Sequence, residues 1–284
     1  MKVMPMTKTI HELSDARDRR VAALAMIAFI YCIVLFYFHM DQLFIFISVF
    51  AFVSVCLVAL QYDFGMKVNK RLIYLAAEVM NPDLLKEEAS HVYPRSDGSW
   101  KTRYGRLYYE SFYYCLLGNH EKALEAWKSL PTPNDLLRNA KDCGLMQLLV
   151  RAGQVEEAEQ YLEDVQRMIM SNEKMAAICM RAVGAFYAAK GDGGAGREYL
   201  AQAYSRARYS SEKMGILFDF GVLTEKIGKQ EEAIDYYCQA AGLAPKTWLG
   251  QEAARRAKAL QHAQQHQVED IAPQDDIGGV ELSG

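Results

Sequence analysis

No CxxC pair occurs anywhere in this 284-residue chain, and its six cysteines, Cys32, Cys56, Cys115, Cys143, Cys179 and Cys238, stand far apart. That spacing excludes the common zinc and dithiol-redox motifs and leaves most of the cysteines as small apolar side chains of a core. An excess of positive charge is also missing. The formal net charge is -3, whereas a nucleic-acid surface leaves a strongly basic footprint, so no nucleic acid partner is expected. Phosphate-loop, HExxH, GxSxG and dinucleotide signatures are absent too. No catalytic, cofactor or metal residue is expected, and an enzyme is the least favoured class. The run Gly191-Asp192-Gly193-Gly194-Ala195-Gly196 is glycine-rich, but it reads as a turn between two helices, whereas a phosphate loop follows a strand. His262 and His266 stand four apart on an expected helix and could share a metal; with no third ligand in view they read as a solvated face.

Charge is missing again, more tellingly, near the start. Val21 to Phe38 and Leu43 to Leu60 are runs of eighteen residues without Asp, Glu, Lys or Arg, separated by His39-Met40-Asp41-Gln42. As helices each would reach roughly 27 Å, close to the hydrocarbon thickness of a bilayer. The reading is a transmembrane hairpin over 21–62, with spans at about 21–38 and 43–60; a cleaved signal peptide and a buried soluble hairpin are the competing readings. With no Asp, Glu, Lys or Arg in either span, an anchor is expected and an ion path is not. Arg17, Arg19 and Arg20 precede the first span and Lys67, Lys70 and Arg71 follow the second, while the turn has no cation. The positive-inside rule then places both termini in the cytoplasm, with a basic N-terminal segment over 1–20.

Residues 63–100 form a connector. Val68, Leu72, Leu75, Val79 and Met80 recur at helical spacing, Asn81 can cap a helix beginning at Pro82, and HVYPRSDGSW over 91–100 is a loop. From 101 to 246 four helix pairs repeat, aligned on Gly118, Gly153, Gly191 and Gly228 at intervals of 35, 38 and 37. Five positions after each glycine stands a small residue, Ala123, Ala158, Gly196 and Ala233. Four further on stand Trp127, Leu162, Leu200 and Tyr237, and three beyond those Leu130, Val165, Ala203 and Ala240. Small residues recur where two helices approach closely. Seven before the glycine stand Ser111, Met146, Gly184 and Gly221, the second unit being the most degenerate. A helix over 247–265 caps the array, and 266–284, acidic and without Lys or Arg, reads as disordered.

The best-preserved unit, Gly221 to Pro245, resembles the tetratricopeptide repeat through Leu217, Phe220-Gly221, Ala233, Tyr237 and Pro245, with Thr224 standing off the pattern. The expected fold class is therefore all-α, an N-terminal transmembrane helical hairpin followed by a tetratricopeptide-like α-solenoid. The resemblance implies a groove lined by first helices, with Tyr108, Phe112, Gln147, Arg151, Arg181, Phe218, Glu225 and Lys226 at its inward positions. An extended peptide would lay an apolar side chain near Tyr108, Phe112 or Phe218 and an acidic group by Arg151 and Arg181. Tyr108 and Phe112 occupy the slots where the family's carboxylate clamp has Lys and Asn, which argues against a chaperone-tail adaptor. The expected function is a membrane-tethered scaffold binding a protein or peptide partner, in contact with the lipid bilayer. The alternative is a structural or assembly subunit of a membrane transport or secretion complex.

Overall fold

A computed structural model describes residues 9–37 and 42–271; residues 1–8 of the basic segment, residues 38–41 of the expected turn, the tail from 272 and the side chain of His266 lie outside the described residues. Among the described residues there are thirteen α-helices, one π-helical turn and no strand. Two units divide the chain: Met1–Leu148 with Arg208–Ser211, and Leu149–Ala207 with Glu212–Gly284.

The first unit begins with α1 (Ile10–Tyr37) and α2 (Gln42–Tyr74). A capping box starts α1: the Thr9 hydroxyl accepts from the Glu12 amide at 3.2 Å and Glu12 accepts from the Thr9 amide at 2.7 Å. The two helices run antiparallel, since Tyr31 lies 5.9 Å from Phe52, Arg20 pairs with Asp63 at 2.8 Å and Arg17 sits 4.6 Å over Phe64. Both continue past the uncharged runs without a break. Where the two helices do not face each other their apolar side chains are bare; Phe29, Phe50, Val55 and Val58 are each about two-thirds exposed. The stretch Val49–Val79 is long and apolar enough to cross a membrane.

Below the runs the connector is built as a stack. Val68, Leu72, Leu75 and Met80 are buried as the spacing predicts, but Val79 is 41% exposed. The reason is the π-helical turn over Leu75–Val79, closed by the Met80 amide on the Leu75 carbonyl, which widens the winding and turns Val79 outward. Asn81 caps α3 (Pro82–Val92), accepting from the Asp83 and Leu84 amides. α3 packs on α2 through a buried bidentate pair, Arg71 Nη2 to Glu88 Oε1 at 2.9 Å and Nε to Oε2 at 3.2 Å. Helices α4 (Trp100–Leu116) and α5 (His120–Lys128) follow as a pair, and α6 (Asp135–Arg151) starts in this unit.

The second unit holds α7 (Val155–Glu159), α8 (Leu162–Ser171), α9 (Glu173–Lys190), α10 (Gly193–Arg206), the body of α11 (Ser210–Lys226), α12 (Gln230–Leu243) and α13 (Trp248–Ile271). Its core gathers Ala176, Met180, Leu200, Ala203, Ile216, Phe220 and Leu223. The helix expected after Gly153 is broken in two at Gln160-Tyr161, where the Tyr161 amide bonds the carbonyl three residues back. The last helix runs to Ile271, so 266–271, expected within the tail, are helical.

One turn recurs at all four aligned glycines. Gly118, Gly153, Gly191 and Gly228 have φ of 75°, 77°, 79° and 79°. At each, the glycine amide bonds the carbonyl three back and the next amide the carbonyl five back, as in Asn119 to Tyr114, Gln154 to Leu149, Asp192 to Tyr187 and Lys229 to Thr224. That is the Schellman ending, which satisfies two terminal carbonyls and needs a left-handed residue. The helix that follows buries its small residue each time: Ala123, Ala158 and Ala233 are fully buried and Gly196 is buried. Trp127, Leu200 and Tyr237 are buried, Leu162 half-buried, and Leu130, Val165, Ala203 and Ala240 all buried. Ser111 takes the close-approach slot of the first pair by donating its hydroxyl to the Ala123 carbonyl at 3.1 Å.

Two glycines of the last pair therefore fail in different ways when replaced. At Gly228 a Cβ meets open space, so Gly228→Ala costs only left-handed strain, roughly 1–2 kcal/mol, and Gly228→Asn less. At Gly221 a Cβ would stand 2.5 Å from the Tyr237 ring, so Gly221→Ala costs about 1–3 kcal/mol by overpacking and Gly221→Asn more. Thermal unfolding of the detergent-solubilised full-length protein reads the order; equal losses for Ala and Asn at Gly228 would contradict the turn assignment.

Candidate functional site

The eight inward positions expected from the sequence divide between the units: Tyr108, Phe112 and Gln147 in the first, Arg151, Arg181, Phe218, Glu225 and Lys226 in the second. On α4, residues 104, 108 and 112 share a face at a spacing of four. The Tyr108 ring lies 6.0 Å from Tyr104, 5.0 Å from Phe112 and 5.5 Å from Trp127 on α5. Trp127 is itself fixed, its indole N-H donating to the Lys141 carbonyl at 2.8 Å. Tyr108 and Phe112 are both half-buried, so each packs on its neighbours and keeps an exposed part. Gln147 has its amide nitrogen buried without a hydrogen-bond partner among the described residues, so it is out of a ligand's reach.

In the second unit the arginines do not wait for an acidic ligand, because the chain supplies the acid. Asp219 on α11 is buried, and Arg151 Nη2 approaches its Oδ1 at 2.6 Å while also donating to the Gly215 carbonyl at 3.2 Å. Arg181 on α9 lies at 4.0 Å from the other oxygen, and its guanidinium covers Gly215, where a Cβ would stand 1.7 Å from Nη2. Burial pushes the Asp219 carboxyl above the usual carboxylate range, against the pull of Arg151 and then Arg181. The three residues tie α6, α9 and α11 together.

Phe218, next along α11, is buried between two cations, Arg151 at 4.8 Å and Arg256 at 5.6 Å from its ring centre. Arg256 on α13 continues the network. It donates to Glu225 at 3.2 Å, to Glu252 at 2.9 Å and to the Tyr237 hydroxyl at 3.3 Å, and that hydroxyl donates to Glu225 at 2.6 Å. Glu225 and Arg256 remain about one-third exposed at the rim. Lys226 stands apart, its ammonium donating to the Ala189 carbonyl at the C-terminal end of α9, where a cation suits the helix dipole.

Sequence reasoning passed over Asp219, Arg256 and Glu252. A signal existed for the first: Asp219 interrupts Ile216-Leu217-Phe218-Asp219-Phe220, and an acid inside an apolar helical run has to find a cation. The glycine-rich turn is also accounted for. Gly191 ends α9, and Asp192 caps α10 by accepting from the Gly194 and Ala195 amides at 3.1 and 3.0 Å, so a carboxylate already takes the place a phosphate would need.

Removing one partner of the buried pair leaves the other charge uncompensated. Arg151→Met and Asp219→Leu should each cost about 3–5 kcal/mol, and the double variant should cost less than the two losses added, Arg181 still being left without its acid. A double-mutant cycle on thermal unfolding checks this; single losses near 1 kcal/mol, the size of a surface pair, would contradict it.

No family model, no characterised protein and no solved structure matches the chain.

Proposed function

We propose that the protein is a membrane-tethered interaction scaffold, in which a two-span hairpin, 21–38 and 43–60, holds tetratricopeptide-like helix pairs at the cytoplasmic face to bind a protein or peptide segment. The carrying observation is the repetition over Gly118 to Gly228 of one turn geometry and one set of buried positions. A chain that repeats a helix pair in this register repeats its exposed face as well, and stacked pairs offer an extended surface to an extended partner. The bare apolar sides of α1 and α2 support the anchor, since so large an apolar patch is not left to water. Phe29, Ile30, Phe50, Val55 and Val58, each more than half exposed, would face lipid.

The proposed contact surface is narrower than the inward positions alone suggest. Arg151, Arg181 and Phe218 hold helices together, and an acidic peptide would have to displace Asp219 to reach the guanidiniums. Tyr108 and Phe112 in the first unit, and the Glu225–Arg256 rim in the second, keep exposed parts. Orientation follows from Arg17, Arg19, Arg20, Lys67 and Lys70; Arg71 is taken up by Glu88 inside the protein and does not count toward the membrane surface.

A photo-crosslinking residue placed at Tyr108, Phe112 or Arg256 in cells should yield a discrete adduct with another protein. The same residue at Glu163, an exposed position on α8, should yield none. Adducts absent from all three positions, with the protein at normal abundance in the membrane fraction, would overturn the reading.

A further inference from the structure

The hydroxyl of Tyr109 donates to Asn69 Oδ1 at 3.2 Å, which pins the middle of α4 against α2. The direction of α4 follows from three more contacts. Arg71, near the end of α2, pairs with Glu88, past the start of α3, so α3 runs back along α2. Tyr93 stacks on Tyr109 with ring centres 5.9 Å apart, and Lys86 lies 4.9 Å over the Tyr113 ring. As the α3 number falls the α4 number rises, so these two helices are antiparallel. α4 then runs in the same direction as α2. Nine residues back from Tyr109 is Trp100, and nine back from Asn69 is Leu60, the last residue of the second uncharged run. Both steps are about 13 Å of helix. The start of α4 is therefore level with the end of the proposed span.

The residues at that level suit a membrane surface. Trp100 is 46% exposed, and the Lys101 ammonium lies 5.9 Å from its ring. Arg103 is exposed beside it, while Arg95 reaches back to Glu110 at 3.8 Å, ten residues along α4 from Trp100, and is not at this level. Between 95 and 103 the one acid is Asp97, occupied in holding the helix start: it accepts from the Thr102 hydroxyl at 2.5 Å and the Ser99 amide at 2.8 Å. With Arg95 set against Glu110, Lys101 and Arg103 against Asp97 leave this corner at +1. On α1 Arg19 is exposed, while Arg20 and Lys67 share Asp63. Tryptophan is enriched at headgroup level, and cations beside a cytoplasmic leaflet are drawn to its anionic lipids.

We propose that the start of α4, Ser99 to Arg103, docks on the bilayer surface, with Trp100 seated among the headgroups and Lys101 and Arg103 binding anionic phospholipids. The proposal rests on the reading of α1 and α2 as a membrane hairpin. It gives the unit that carries Tyr108 and Phe112 a second hold on the membrane besides α1 and α2, which fixes its height and tilt.

The test uses full-length protein reconstituted into phosphatidylcholine vesicles with or without phosphatidylserine, bromine-labelled phosphatidylcholine serving as a shallow quencher of tryptophan. With phosphatidylserine present, wild-type emission should contain a quenched component that is lost in Trp100→Phe. The same component should be lost in the K101E/R103E variant, in the milder K101Q/R103Q variant if the first fails to fold, and in phosphatidylcholine alone. Protein that stays with the vesicles through an alkaline wash but shows no quenched Trp100 component overturns the docking and leaves the hairpin standing. Equal quenching in both lipid compositions overturns the recognition of anionic headgroups. Release of the protein by the alkaline wash overturns the hairpin, and the docking with it.

Discussion

Two helices can pack closely only where a small side chain lets the backbones approach, and a pair made from one chain also needs a turn that reverses it at once. Both conditions are met four times here. Gly118, Gly153, Gly191 and Gly228 supply the left-handed residue, and Ala123, Ala158, Gly196 and Ala233 supply the approach five residues later. The fixed offset makes the rest of each pair follow. Once the second helix is held at its small residue, the side chains four and seven positions on fall on the same buried face. Tyr237 shows how far this goes: its ring fills the space left by Gly221, and its hydroxyl reaches Glu225 and Arg256.

The ionic network of the second unit is a consequence of that packing. α11 is buried from Met214 to Gly221 and again at Leu223 and Thr224, so the one acid on that stretch has no water to turn to. Arg151 and Arg181 answer it from two other helices, and Arg256 extends the network to α13. Such a network fixes which helix faces which more than it adds stability, because desolvation offsets much of the attraction. The same groups that would attract an acidic peptide are thereby committed to the fold.

What was legible in the sequence was what depends on backbone geometry over short range. Gly191 and Gly228 mark helix ends because few other residues take that conformation cheaply, and Asn81 marks a start because its side chain can replace a missing acceptor. The buried slots after each glycine could be read for the same reason. Pairings over long range could not. Nothing local to Arg151 or Arg181 says that Asp219 lies between them. Val79 fits the apolar spacing of its helix and is exposed only because the winding changes to a π turn at Leu75. The break at Gln160-Tyr161 has no proline or glycine to announce it. On the surface, Tyr108 and Phe112 kept exposed parts while Phe218, identical in kind, was taken into the core by two guanidiniums.

In the proposed scaffold the uncharged runs lie in a bilayer and the helix pairs on one side of it. Single cysteines introduced into a cysteine-free full-length protein at Thr9, at Asp41 and at Gln265, and reacted with a membrane-impermeant maleimide on intact cells and on inverted vesicles, test this directly. Labelling of positions 9 and 265 only from the cytoplasmic side, and of 41 only from the other, is the predicted result. Labelling of 9 and 265 from opposite sides, or of all three from the same side, would contradict it.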